Sequence, residues 1–525
     1  MFSIISKSKH GTTGAVRGGA ALFITVVASV ILLPLIWAES SASLIGVGVV
    51  LLAILVLGVA FLTVAYPEPI RHAADVQVEA EPRSLPLASF ERIFAVFVLF
   101  FSTGAFWRVL QGSRDTESGA WTGALMTNSL WILVYLAAFW LLRLRCVVPW
   151  HLWKRGIVLL LPVPVAVVSL LWSQDRGLTF LRCGALVGTT VVALYFALRF
   201  TIRETLHFAS SALGLAAISS TIAAVCVPSF GVGRGEFQGI WLGAFGQKNE
   251  LGGMMGVAFL VYMVLFWHER SRRLLWLSLA ALSLFLVLKA DSMTSFAICC
   301  ALPYLFWVSK KTLTKNVHVI TRILYFGLPV LIVAAGVVLE FDRVTEAVGR
   351  GEDLTGRTVL WAAVAPAILD RPYLGYGYEA FWRGYQGAAG EIWAQLGNYY
   401  YYSHNGFLEV LLGLGLIGLV SMLIALVFYS RSAFHALQRQ RGDAIAAFWP
   451  WAFLMYLPLS NLLEGNLMKS NNLPWLLYMI TALSLCFNQV PGVALLGPHK
   501  EANPLNKLSR FLEGRSAEGV GDVPA

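Results

Sequence analysis

HNGFLEVLLGLGLIGLVSMLIALVFY, residues 404–429, is the stretch on which the reading of the fold turns. Two polar residues open it, and a long apolar run follows. A bilayer takes ~20 apolar residues in a helix, so this run is long enough to cross one. His404 and Asn405 then stand at the mouth of a membrane helix, where water and a lipid-borne substrate can both reach an imidazole. A spacer of nine residues separates that pair from Gly415, with Gly418 three further on. Glycines on such a segment ordinarily pack against a neighbouring helix. Glu409 lies five residues after His404. At helical pitch the two do not share a face, so no His–carboxylate dyad is implied, and Glu409 is expected to pair with an arginine of another helix.

The rest of the chain has the same character. Its 525 residues are 58% hydrophobic and only 13% charged, and the mean hydropathy is +0.70. That composition belongs to an all-α polytopic membrane protein. About fourteen spans are expected, at 20–37, 43–65, 93–110, 123–143, 156–172, 181–200, 207–227, 250–267, 274–289, 293–308, 323–340, 405–429, 445–463 and 472–488. The implied organisation is an N-terminal transmembrane hairpin (1–65), a polar cytoplasmic connector (66–91), a polytopic core (92–488) with a large extracytoplasmic loop (341–404), and a cytoplasmic tail (489–525). The basic start and first apolar run are read as a retained helix rather than a cleaved signal.

A net charge of +10 raises the question of nucleic acid, and its distribution answers against it. With the N-terminus inside, about 26 of the 39 Lys and Arg fall on the cytoplasmic side, the bias of a membrane protein. Membrane lipid headgroups are the partner those clusters imply. Of nine histidines, only His404 is expected outside. The six cysteines lie in or beside apolar spans with no metal-ligand spacing and are read as small hydrophobes, with Cys183 and Cys226 left open as a pair. No metal and no cofactor is expected. No Walker motif, dinucleotide fingerprint or DxD cluster is present, so an activated donor outside must arrive as a lipid-linked diphosphate.

The expected outer face retains cations against the bias: Arg176, Arg182, Arg234, Lys248, Lys289, Arg343, Arg350, Arg357, Arg371 and Arg383. Guanidinium forks suit phosphate oxygens, although about half of these cations are expected to pair with loop carboxylates. Arg182 opens an apolar span, where an unpaired charge is costly. Within the large loop, TGRTVLWAAVAPAIL (355–369) has helical periodicity and stops at Asp370–Arg371–Pro372. Aromatics crowd the same region. Tyr399–Tyr402 reads as an interfacial belt, whereas Trp361, Tyr376, Tyr378 and Trp382 are candidates for stacking on sugars.

Four blocks in order resemble one family. They are WSQDRGLTFLR (172–182), GAFGQKNELGG (243–253), LTGRTVLW with RPYLGYGYEAFW (354–382), and HNGFLEVLLGLGLIG (404–418). Together they resemble the O-antigen ligase and Wzy-type polysaccharide polymerase superfamily, and the second block is similar to its exopolysaccharide (succinoglycan-type) polymerases. The resemblance implies a GT-C-like, metal-independent, inverting glycosyltransferase of the bacterial inner membrane with its active face periplasmic. Its substrates would be undecaprenyl-diphosphate-linked oligosaccharides, and a chain-length regulator and flippase of the same pathway are further partners. By position, His404 and Arg357 match the catalytic histidine and loop arginine. Arg182, Lys248, Asn249 and Asn405, with the four aromatics, would bind substrate. Polymerisation is the leading expectation. Ligation of finished glycan to lipid A-core or protein is the alternative within the family, and a transporter the alternative outside it.

Overall fold

The structure is a computed structural model that describes residues 85–107, 110, 124–145, 156–313, 355–439 and 443–488. The spans expected at 20–37, 43–65 and 323–340, the tail, and the first part of the large loop, with Arg343 and Arg350, lie outside the described residues. Helices account for every regular element among those described, and besides short helical turns at Ser169–Leu171, Pro228–Gly231, Gly235–Phe237 and Arg270–Arg272 they are α1 (Leu85–Ser102), α2 (Ala124–Arg145), α3 (Pro162–Val168), α4 (Arg176–Arg199), α5 (Ile202–Cys226), α6 (Lys248–His268), α7 (Arg273–Lys289), α8 (Met293–Leu313), α9 (Thr355–Asp370), α10 (Gly387–Leu396), α11 (Gly406–Arg439), α12 (Ala444–Asn461) and α13 (Leu473–Asn488). Six are long and apolar enough to cross a membrane, and three shorter apolar helices accompany them. The chain is a multi-pass membrane protein. α1 begins at Leu85, inside the stretch read as connector, because Pro86 is tolerated in a first turn and the apolar run after it is helical.

Local chemistry sets the ends. Asp175 caps α4 by accepting the Leu178 N–H at 3.0 Å. Thr201 and Glu204 form a reciprocal capping box on α5. Asp443 accepts the Ile445 N–H at 2.9 Å and starts α12. Along α11, Met422, Ala425 and Tyr429 are buried while Val420, Leu423 and Val427 are exposed. Both faces are apolar, as expected where lipid rather than water surrounds the bundle.

At the end away from His404, charges fix which helices are neighbours. The fully buried Glu91 of α1 takes both arms of Arg199 at 2.9 and 2.6 Å. Arg203 reaches Asp443 at 2.6 Å and Glu269 at 3.5 Å, and His207 Nε2 lies 2.9 Å from Glu269. Such groups are costly in an apolar setting unless they meet one another. Cys183 and Cys226 are separate thiols.

The decisive irregularity lies inside α11. Gly415 has φ 62° and ψ −160°, a region only glycine enters readily, and the helix is broken there. An unbroken helix would bond the N–H groups of Leu416 and Ile417 to the carbonyls of Leu412 and Gly413. Instead Leu416 and Ile417 donate to the carbonyls of Pro372 and Tyr373, at 2.8 and 3.2 Å. Leu412 and Gly413 accept from the N–H groups of Tyr376 and Gly377, at 2.8 and 2.9 Å. Residues 372–377 are thus threaded into the break and satisfy these four backbone groups. A Cβ on Gly415 would come within 2.3 Å of the Tyr373 carbonyl carbon.

Candidate active site

The large loop is a small folded unit seated on this break. Leu360, Val364 and Ala367 of α9, Ile392 of α10, and Tyr376, Phe381 and Leu412 form a core of their own. The first sequence block, with Ser169 just before it, clasps it from the other side. Trp172 donates its indole N–H to Leu374 O (2.8 Å), Gln174 donates to Ala380 O (2.6 Å), and Ser169 Oγ accepts from Tyr378 N–H (3.0 Å). Arg383 reaches Asp175 at 3.3 Å. Blocks one, three and four therefore meet, largely through main-chain groups.

α9 carries Arg357 and Trp361, one turn apart on the same face. Trp361 donates its indole N–H to Ser403 O at 2.8 Å, which fixes the turn before His404. Arg357 is buried. Its Nη1 donates to Leu463 O at 2.8 Å and its Nη2 to Glu464 Oε1 at 3.1 Å. The same short segment holds the histidine turn. Asn405 Nδ2 donates to Leu462 O at 3.1 Å, and Gly406 N–H donates to Glu464 O at 3.0 Å. Residues 462–464 are thus a bridge between Arg357 and the turn containing His404.

Asn405 also caps α11, its Oδ1 accepting from Phe407 and Leu408 N–H at 2.9 and 3.1 Å. His404 adopts φ +54°, a conformation that a non-glycine residue keeps only where its surroundings impose it. Those surroundings include the Tyr402 ring, 4.0 Å from the imidazole between centroids. Glu409 does not take an arginine as the sequence suggested. Its Oε1 accepts from the Trp382 indole at 3.0 Å and from the backbone N–H of Ser403. Neutral donors thus tie α11 back onto the turn that precedes it.

The residues expected to act together separate into three groups. His404, Asn405, Arg357, Trp361 and Trp382 surround one turn. Arg182, half exposed, pairs with Glu379 at 3.4 Å on the flank. The hydroxyl of Tyr378, next to Glu379, donates to Met468 O. Lys248 and Asn249 open α6 with Lys248 5.4 Å over the Phe237 ring, and Glu250 in the same turn is in electrostatic reach of Tyr402 and Glu464. Tyr376 and Tyr378 are not presented to a sugar. Their rings are buried, because glycine turns fold them into the loop's own packing, and the Tyr376 hydroxyl donates to Ala367 O at 3.0 Å. The tyrosine run packs around Trp393 instead of forming a belt, with Tyr399 and Tyr401 5.2 and 5.4 Å from it.

The sequence reading missed the loop between α12 and α13. Asn461, fully buried, organises it by accepting from the N–H groups of Asn466 and Leu467, both at 2.8 Å. Lys469 stands 5.7 Å over the Tyr402 ring. Burial pushes the Glu464 carboxyl up to about 7, against the opposing pull of Arg357 and Lys469. Burial also holds the Tyr402 hydroxyl well above the usual phenol range, with the charges of Glu464 and Glu250 adding to it. Around Glu464 the arrangement thus brings the Arg357 guanidinium and the Lys469 ammonium together, next to the turn that carries the His404 imidazole.

Residues 279–423 match the family described as O-Antigen ligase (Wzy_C). That segment holds α9, the YLGYG insertion, His404 and the broken helix. The chain is also 28% identical over 200 residues to the exopolysaccharide production protein ExoQ of Rhizobium meliloti. The aligned part is 36% of this chain and 45% of that relative, so it spans about half the relative's length. The likeness read from the four blocks, to the O-antigen ligase and Wzy-type superfamily and to its exopolysaccharide members, is met by both comparisons.

Proposed function

We propose that the chain is a polysaccharide polymerase of the bacterial inner membrane. It would transfer a growing glycan from undecaprenyl diphosphate to a lipid-linked repeat unit at the periplasmic face. The observation that carries the reading is the bridge at 462–464, which binds Arg357 through Leu463 O and Glu464 and the histidine turn through Leu462 O and Glu464 O. A diphosphate on the arginine and an acceptor hydroxyl on the imidazole would then be held in a fixed relation, which is the main requirement of a displacement reaction.

In this reading Arg357 grips the donor diphosphate, and Lys248, Lys469 and Arg182 add positive charge around it. His404 accepts the proton of the acceptor hydroxyl as its oxygen attacks the anomeric carbon. The bond from that carbon to the diphosphate oxygen breaks, and Arg357 stabilises the charge gathering on the leaving group. A single displacement of this kind inverts the anomeric centre and needs no divalent metal.

The name of the relative, an exopolysaccharide production protein, supports a role in making a secreted polysaccharide, which a polymerase would fill. The description of the family supports a second reading, ligation of glycan to lipid A-core or protein. Purified protein in vesicles separates the two. Polymer formed from a lipid-linked repeat unit alone supports the polymerase. Product formed only when lipid A-core is added supports the ligase. Glycan transfer to neither acceptor sinks the polymerase reading and ligation to lipid A-core. A deletion strain should accumulate single repeat units on undecaprenyl diphosphate.

A further inference from the structure

The mechanism above gives no task to Glu464, although it touches both halves of the site. Its carboxylate is Arg357's partner at 3.1 Å, and its carbonyl receives the Gly406 N–H at 3.0 Å. Both side chains of the pair are largely buried, at 11% and 15% exposure. The titratable groups that interact with it are Arg357 of α9, Lys469 of its own loop, Glu250 of α6, Tyr456 of α12, and Tyr402, whose ring lies tilted against His404. A lipid diphosphate arriving at Arg357 would bring its negative charge beside a carboxylate in a poorly hydrated place, where like charges repel strongly.

We propose that Glu464 is the positioning residue for Arg357 and takes up a proton when a lipid diphosphate binds that guanidinium, so that affinity for the diphosphate falls as pH rises. The inference rests on the polymerase reading and extends it to how the site admits its anion. Protonation is accessible because burial pushes the Glu464 carboxyl up to about 7. A protonated acid still accepts from Arg357 through its carbonyl oxygen, and Leu463 O keeps the other arm in place. The sign follows from linkage. The anion-bound form holds the proton more tightly than the free form, so binding is strongest below about 7 and weakens as pH climbs through it. Between pH 6 and 8 the loss approaches about tenfold.

The test uses the full chain in detergent and a polyprenyl diphosphate bearing one N-acetylglucosamine. Both phosphates of that probe stay ionised throughout, so its own charge does not change. Binding is followed by tryptophan fluorescence from pH 6 to 8. Wild type should bind about tenfold more weakly at pH 8 than at pH 6. Glu464→Gln, which keeps an acceptor for Arg357 but cannot titrate, should bind with no pH slope. Glu464→Asp, which keeps the carboxyl, should retain a slope and serves if the glutamine variant folds poorly. Glu464→Ala should lower kcat more than it raises KM, because Arg357 loses its orientation but keeps its charge. A flat wild-type profile, or the same slope in Glu464→Gln, overturns the proposal while leaving the polymerase reading intact. No binding of the probe at any pH overturns that reading and this inference with it.

Discussion

Leu416 gives its backbone N–H to Pro372, 2.8 Å away, instead of to Leu412 one turn back in its own helix. A bond that would have belonged to a membrane helix is spent on a loop that precedes it by some forty residues. The loop in return supplies the donors and acceptors that the broken helix lacks, and it carries Arg357 on the adjoining α9.

Gly415→Ala tests that exchange. Alanine is strained at φ 62° and ψ −160°, and its methyl would meet the Tyr373 main chain at 2.3 Å. A backbone conformation of this kind costs about 1–3 kcal/mol, and the clash adds to it. The variant should melt at a lower temperature and cleave faster within 372–377 under limited proteolysis. Wild-type melting would show that the break is not needed.

Arg357→Lys should fail nearly as badly as Arg357→Ala. Lysine keeps the charge but loses the fork that reaches Leu463 O and Glu464 together. Losing a charged group that acts in the transition state costs on the order of 10²–10³ in rate. Steady-state turnover in vesicles reads this directly, and full activity in the lysine variant refutes the two-armed role.

His404→Asn should insert and fold normally, because asparagine tolerates the positive φ better than most residues. It removes the proposed proton acceptor, so turnover should fall by ~10²–10⁴. His404→Gln separates orientation from proton transfer. Substantial turnover there withdraws the general-base role.

Asn461→Leu should destabilise the chain even though it stays buried and apolar. The N–H groups of Asn466 and Leu467 would lose their common acceptor, at about 1–3 kcal/mol for each stranded donor. Turnover should drop with stability, since Glu464 sits on the same loop. An unchanged melting temperature would show that the loop organises itself without the amide.

Turnover should persist in excess chelator. In the proposed site Arg357 and Lys469, beside Glu464, would supply positive charge of the kind a metal would bring to a diphosphate. Complete loss of activity that returns on adding a divalent ion would refute this.

The sequence was a good guide to the helices. Asp175, Thr201 and Asp443 are ordinary N-caps in front of apolar runs, and the spans read from 123 to 308 and from 445 to 488 coincide closely with helices. It was a poor guide to the break in α11, because Leu-Gly-Leu inside an apolar run looks like continuous helix. What distinguishes Gly415 is a partner segment far back in the chain. The aromatics misled for a similar reason. Glycines beside Tyr376 and Tyr378 do make turns, but the turns fold the rings inward. Glu464, Lys469 and Asn461 lie in SNLLEGNLMKSNN, 460–472. The density of asparagine between two apolar spans marks a structured turn, and that signal was available.

The break in α11 also constrains how the protein is made. YLGYG is synthesised before the helix it completes, and a segment with four open backbone groups is a poor candidate for release into lipid. A loop already lying at the membrane surface when 406–417 leaves the insertion machinery would supply those partners at once. Biogenesis would then be a templated step, in which an earlier segment makes a later one fit to enter the bilayer. Mutations in 372–377 should accordingly appear first as slow membrane integration of α11 and quality-control turnover, ahead of any defect in the assembled enzyme.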